Sequence, residues 1–335
     1  METINEKERK ILPYEKAVLT TWPEDCFLFS ILSNVKYGYN WIADSNIQIV
    51  LTHDTINYYP SRKQHFFQNE FDNIPFINKY SIDRRLLYSF ENDFGKIIKK
   101  AVDEGFYISG LFNRRVLTEN IVSNLNHVCY IYGYDEEENV VYMNDNFFNG
   151  INSYEKISFD RVKKAFEVAL SEKVTLLGNK VVNFYRLNTD MEYQLNKDKI
   201  KKGMLDYLYG TCDGENKNNE YTFFGLKAYK KLSGIIENTY NNYIDLRNLS
   251  FLRDVAKVNG IRLDTMINSE LFKIDNPDLF RYIDAQIKAA RVMTNLGIKY
   301  NIKSDKKILY KLSDMIKEYE RVEKIFSEYI IGLCR

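Results

Sequence analysis

"NHVCYIYGYDEEENVVYMNDNFFNG", residues 126–150, holds two β-rich runs around an acidic, polar turn. "HVCYIYGYD" and "VVYMND" are dense in Val, Ile and Tyr, which suit a pleated, half-buried surface, and Glu136 to Asn139 break them. The pattern predicts an antiparallel hairpin. Its geometry sets the start of the first strand beside the end of the second, so His127 faces the neighbourhood of Asp145. An imidazole beside a carboxylate or amide is the arrangement that orients a proton-relaying histidine.

Outward from the hairpin, helical and strand patterns alternate. "RRLLYSFENDFGKIIKKAVDEG" has helical spacing, with Phe94, Ile97, Ile98, Ala101 and Val102 recurring at three and four and Gly105 as its C-cap. "FYISGLFNR" then reads as a strand. After the hairpin, "NFFNG" reads as a loop, and "SFDRVKKAFEVAL" as a helix capped by Ser158 with Val162, Ala165, Phe166 and Ala169 on its apolar face. "NKVVNFYRL" closes the region as a strand, and "NIQIVLTHDTINYYP" is a strand or a loop. From about residue 195 the segments are amphipathic at the helical period. The expected architecture is an α+β domain with an antiparallel sheet over residues 1–190, followed by an α-helical domain over 191–335.

Near the N-terminus, "TTWPEDCFLFSILSNV" places Cys26 in the first turn or so of a helix. Pro23 suits a first turn because its missing N–H has no partner there anyway, and Glu24 and Asp25 favour the positive end of the helix dipole. That end lowers a thiol's pKa, as a nucleophile needs. The apolar run Phe27, Leu28, Phe29, Ile31, Leu32 and Val35 equally fits a core helix in which Cys26 is only packing. The hairpin that sets His127 against Asp145 decides for the nucleophile. His53 and His65 lie in an aromatic, loop-like segment without a strand partner, and Cys129, two residues after His127, reads as core-facing.

Composition excludes several classes. With 47 basic and 46 acidic side chains in 335 residues, the net charge is +1, which leaves no nucleic-acid footprint. No stretch approaches the roughly 18 apolar residues of a membrane span, and "METINEKERKILPYEK" lacks the apolar run of a signal peptide. A cytoplasmic protein is expected, without membrane or nucleic-acid partners. Four widely spaced cysteines predict neither disulfides nor structural metal.

A Cys at a helix start within the first 30 residues, a "DEG" turn before a strand, the hairpin quoted above and the helix "SFDRVKKAFE" resemble the papain-like fold of bacteriocin-leader peptidases. More specifically, they resemble the N-terminal domain of the butirosin-biosynthesis acyltransferase type, over about residues 15–190. "TFFGLKAYKKL" in the helical half is similar to that type as well. The resemblance implies Cys26 as nucleophile, His127 as base and Asp145 as orienting acid. It implies acyl transfer from a carrier-protein thioester, through a Cys thioester, to a small amine or diamine, forming an amide in specialised-metabolite assembly of the non-ribosomal peptide or thioamide type. No cofactor is implied beyond the phosphopantetheinyl arm that carries the substrate on an acyl or peptidyl carrier protein. The alternative is a cysteine peptidase that cleaves a peptide leader or amide. One position departs from the pattern: papain-like peptidases commonly place a Gln about six residues before the nucleophile for the oxyanion hole, and here that residue is Thr20. The Cys26 amide would supply one donor. Thr20, Thr21, the Trp22 backbone and the auxiliary amide of Asn144 are the candidates for the rest. Aromatic residues such as Trp22, Tyr58, Tyr59, Phe66 and Phe67 line a pocket or fill a core, and the pairs Arg84-Arg85, Lys99-Lys100, Arg114-Arg115 and Lys163-Lys164 dock an acidic carrier or face solvent.

Overall fold

The computed structural model of the chain describes residues 9–59, 71–72, 74–119, 125–148, 151–171, 180–215, 217–239, 243–274, 276 and 278–334. Along them run β1 (Arg9–Ile11), α1 (Pro23–Leu32), α2 (Gly38–Ser45), β2 (Ile49–Thr52), β3 (Thr55–Tyr58), β4 (Ile77–Asp83), α3 (Arg84–Phe90), α4 (Phe94–Asp103), β5 (Phe106–Asn113) and α5 (Arg114–Thr118). There follow β6 (Asn126–Asp135), β7 (Val140–Phe148), β8 (Ile151–Ser158), α6 (Phe159–Ser171), β9 (Val181–Leu187), α7 (Lys197–Tyr209) and β10 (Thr222–Phe224). The chain ends in α8 (Leu226–Glu237), α9 (Leu246–Asn268), α10 (Asp278–Lys303) and α11 (Lys306–Leu333). The architecture is mixed helix and antiparallel sheet with a helical C-terminal region.

Two compact units divide the chain: Met1–Lys36 with Gln64–Met191, and Tyr37–Lys63 with Glu192–Arg335. A single cut at 190/191 does not separate them. Residues 37–63, expected in the first domain, belong with the C-terminal helices because α9 claims their backbone: Arg262 donates from Nε to the Ala43 carbonyl at 2.8 Å and from Nη2 to the Asn46 carbonyl at 2.5 Å. In this second unit β10, β2 and β3 form a small antiparallel sheet.

The first unit is built on an antiparallel sheet in the order β4-β9-β5-β6-β7-β8, with β1 also paired to β6. Each face has its own cover. On one, Phe27 of α1 stacks on Tyr130 at 4.4 Å between ring centroids and meets Tyr107 and Tyr185. On the other, Phe112 packs against Phe94 of α4 and Phe166 of α6, which stack on each other at 3.8 Å. Buried on every side, α1 owes its place to that aromatic packing, since the burial of one such ring contributes roughly 1.5–3 kcal/mol.

Local chemistry corrects two expectations. The helical tract at 84–105 is two helices, because Asp93 accepts hydrogen bonds from the amides of Gly95 and Lys96 and so starts α4 afresh. Gly105, at φ +81°, turns the chain from α4 into β5. Residues 146–148 continue β7 rather than forming a loop, and a further strand, β8, runs up to Ser158 at the start of α6: Asn144 pairs with Tyr154 and Val140 with Ser158.

Candidate active site

The β6–β7 hairpin pairs Asp135 with Val140, Tyr134 with Val141 and Gly133 with Tyr142 near its turn, but Ile131 with Met143 and Tyr130 with Asn144 farther on. Tyr132 is therefore the extra residue of a β-bulge. Without it, strand alternation would turn Asn144 and Asn146 toward the face of His127 and point Asp145 the other way. The bulge slips the register by one, setting Asp145 across from Cys129 and diagonally beside His127. Simple hairpin counting from the turn brings His127 near this stretch of β7, but only the bulge selects the carboxylate.

Asp145 is fully buried, and the His127 side chain keeps 35% exposure. The imidazole Nδ1 lies 2.9 Å from one carboxylate oxygen and 3.1 Å from the other, and 3.1 Å from the Val128 carbonyl. All these partners are acceptors, so Nδ1 carries the proton. In the neutral ring Nε2 then holds the lone pair, and it has no hydrogen-bond partner among the described residues. Burial works against the charged ring, yet the charge and hydrogen bond of Asp145 outweigh burial and the opposing Arg114 charge, with help from the Val128 carbonyl. The ring's pKa is raised above the ordinary 6.5. From the same strand face Cys129 donates its S–H to Asp145 Oδ2 at 3.4 Å. Burial, and next the Asp145 charge, push that thiol well above its usual range, so Cys129 is a neutral hydrogen-bond donor and no nucleophile.

Cys26 lies fully buried on the fourth position of α1, which the Asn146 side chain pins to the end of β7 by donating to the Thr21 carbonyl at 3.0 Å. The first turn of α1 and the His127–Asp145 pair share the end of the sheet where β6 starts and β7 finishes, but α1 packs on the face of Tyr130, Asn144 and Tyr154, and His127 and Asp145 stand on the other face with Phe112. Tyr154 and Tyr14 neighbour the thiol. Burial chiefly raises both phenols, with Cys26 among the smaller causes, so they stay protonated at neutral pH. The structure brings His127 and Asp145 into direct contact; the described bonds of the ring go to Asp145 and Val128, not to Cys26.

The auxiliary residues fare differently. The Cys26 amide donates to the Trp22 carbonyl at 2.9 Å, which closes the first helical bond, so it is not the oxyanion donor expected from the sequence. Trp22 is the N-cap in extended conformation, Thr21 is buried behind its Asn146 bond, and Thr20 precedes them half-buried. Asn144 points to the opposite face from Asp145. Its amide nitrogen is spent on the Asn152 side chain at 2.9 Å and the Ser153 carbonyl at 3.0 Å, so its expected auxiliary role is replaced by bracing β8.

Among the rivals, His53 is exposed in the β2–β3 turn of the second unit, at φ +57°, with its ring against Tyr221. Tyr58 packs on Phe251 and Tyr59 on Phe224 in that same unit, while His65, Phe66 and Phe67 lie outside the described residues. Sequence reasoning missed Arg114. It stood in a pair assigned to docking or solvent, yet it is nearly buried and turned toward Asp145 and Asn146. The adjacent Asn113, whose side chain caps α5 by accepting from the Val116 amide, was the available sign that the chain turns into a helix there. Lys99, Lys100 and Lys163 are tied to Glu136, Glu91 and Asp93. Among the described residues no group of His, Cys, Asp and Glu could hold a metal ion, and no helix is long and apolar enough to cross a membrane. A scan against models of known protein families finds no match, and a search of curated proteins finds none either.

Proposed function

We propose that the first unit is a papain-like, cysteine-dependent acyltransferase in which Cys26 attacks a carrier-protein thioester and passes the acyl group to a small amine. The observation that carries this reading is the buried Asp145 that fixes the proton of His127 on Nδ1 and leaves Nε2 as the proton acceptor. In the first half-reaction His127 Nε2 takes the proton of the Cys26 thiol, the sulfur adds to the thioester carbonyl, and the bond from the acyl carbon to the carrier's pantetheine sulfur breaks, that sulfur leaving as a thiol with the proton from Nε2. In the second, the amine nitrogen attacks the acyl-Cys26 carbonyl, His127 Nε2 takes the amine proton, and Cys26 departs as thiol or thiolate. The product is an amide, more stable than either thioester.

Mass spectrometry after incubation with an acyl carrier thioester should find the acyl group on Cys26, and Cys26→Ala should abolish turnover. An adduct on Cys129, or unimpaired activity of Cys26→Ala, would overturn the assignment. Offering the same thioester with a diamine or with water alone distinguishes the enzyme classes: rapid release of free acid and no amide would identify a hydrolase of the leader-peptidase kind.

A further inference from the structure

A cation that the catalytic reading does not use stands beside Asp145. Arg114 opens α5, directly after β5, and its side chain is 13% exposed. Its Nη2 donates to the main-chain carbonyl of Asn146, the residue after Asp145 on β7. Its Nε is buried without a hydrogen-bond partner and lies 3.9 Å from Asp145 Oδ2. That separation is too long for a hydrogen bond but short for two opposite charges in a water-poor site. Enclosing a guanidinium is costly, and the cost is tolerated where a carboxylate and a carbonyl face it. Asn146 also holds the Thr21 carbonyl ahead of α1, so the carbonyl that Arg114 grips belongs to the residue linking β7 to the Cys26 helix.

We infer that Arg114 is a positioning residue of the proposed site, clamping the end of β7 and sharing the charge of Asp145 with His127. The inference rests on the acyl-transfer reading for its consequence, not for its geometry. The groups facing the imidazole among the described contacts are Asp145 from β7, Arg114 from α5 and Cys129 from its own strand, and Cys129 is neutral. Asp145 alone would hold the imidazolium tightly, and a ring that stays charged cannot take a proton from an amine. Arg114 opposes the charged ring and thereby keeps neutral His127 within reach at physiological pH. Its planar fork reaches the Asn146 carbonyl and the Asp145 side together, as a lysine ammonium cannot.

The test is the titration of His127 followed by NMR in the full chain, with Arg114→Lys, Arg114→Gln and Arg114→Met. The neutral replacements should shift the His127 pKa upward, while Lys should leave it near the wild-type value. An unchanged or lowered pKa in a folded neutral variant overturns the inference. If both neutral variants fail to fold and Lys folds, the buried carboxylate needs the cation and the inference stands; if all three fail, Arg114 serves packing and it falls. Where acyl transfer is measurable, the acid limb of kcat/KM should move to higher pH with the NMR value. A shifted His127 in a protein that transfers no acyl group would sink the functional reading and leave the role of Arg114 intact.

Discussion

Asp145 meets His127, Cys129 and Arg114 within one buried pocket of the sheet, and the balance among them decides how His127 titrates. Asp145→Asn removes the charge that holds the imidazolium. The His127 pKa should fall in that variant, by NMR, and turnover should drop on the order of 100-fold or more, since a misoriented base forfeits most general-base catalysis. The pair also links stability to pH. The folded His127 has a raised pKa, so its contribution is complete below the unfolded value near 6.5 and is lost as pH rises through the folded value. Urea unfolding should therefore show His127→Gln costing more at pH 6 than at pH 9; an equal cost at both would mean that the ring is not stabilised by charge. Legibility at this scale was good for His127 and for the stretch of β7 it meets, because the turn fixes which ends of the two strands lie together, but not for the choice of Asp145 over its neighbours. It was poor for Arg114, because an arginine in a basic pair looks like surface until a backbone turn aims it inward.

At the scale of elements, the hairpin depends on one inserted residue. Tyr132 looks like any other aromatic in a β-run, so nothing in "HVCYIYGYD" marks it as the bulge that changes the face of Asp145. Deleting Tyr132 should restore an unbulged register, turn Asn144 and Asn146 to the His127 face and bury Asp145 away from the ring. The His127 pKa should then return toward the ordinary value, and stability should fall as well, because the Tyr132 ring stacks on Tyr14 at 4.1 Å. A folded deletion variant with an undiminished His127 pKa would refute the register argument. The same element shows why β8 escaped notice. "INSYEKIS" offers few β-branched residues, and its extended form comes from pairing with β7, a long-range contact that local composition does not encode.

The whole molecule divides where composition does not. Hydrophobic periodicity separates a mixed region from a helical one near residue 190, and that change is real, but 37–63 crosses it to complete the second unit. The reason lies in buried polar groups. Arg262, fully buried on α9, gives its hydrogens to the Ala43 and Asn46 carbonyls at the end of α2 and to the Asn259 side chain. Asn259 in turn donates to Glu323, which also receives Tyr207 at 2.8 Å and Gln286 at 2.7 Å. Asn248 reaches back to the β2–β3 turn, donating to the Asp54 carbonyl at 2.6 Å and accepting from the Ile56 amide at 3.1 Å. A fragment of residues 192–335 keeps the helices and Glu323 but strips Arg262 of its carbonyl partners. Breaking a buried charged network on one side costs about 3–5 kcal/mol, a large share of the 5–15 kcal/mol that typically holds a domain together. That fragment should be helical by circular dichroism yet unfold without a cooperative urea transition. Adding residues 37–63, as a peptide or through a flexible linker, should restore one sharp transition, and Arg262→Met in the linked form should lower its urea midpoint, since it takes the donor from the Ala43 and Asn46 carbonyls and the cation from the buried Glu323. Cooperative unfolding of 192–335 on its own, at the midpoint of the linked form, would show that 37–63 only decorates the helices, and the boundary would return to 190/191.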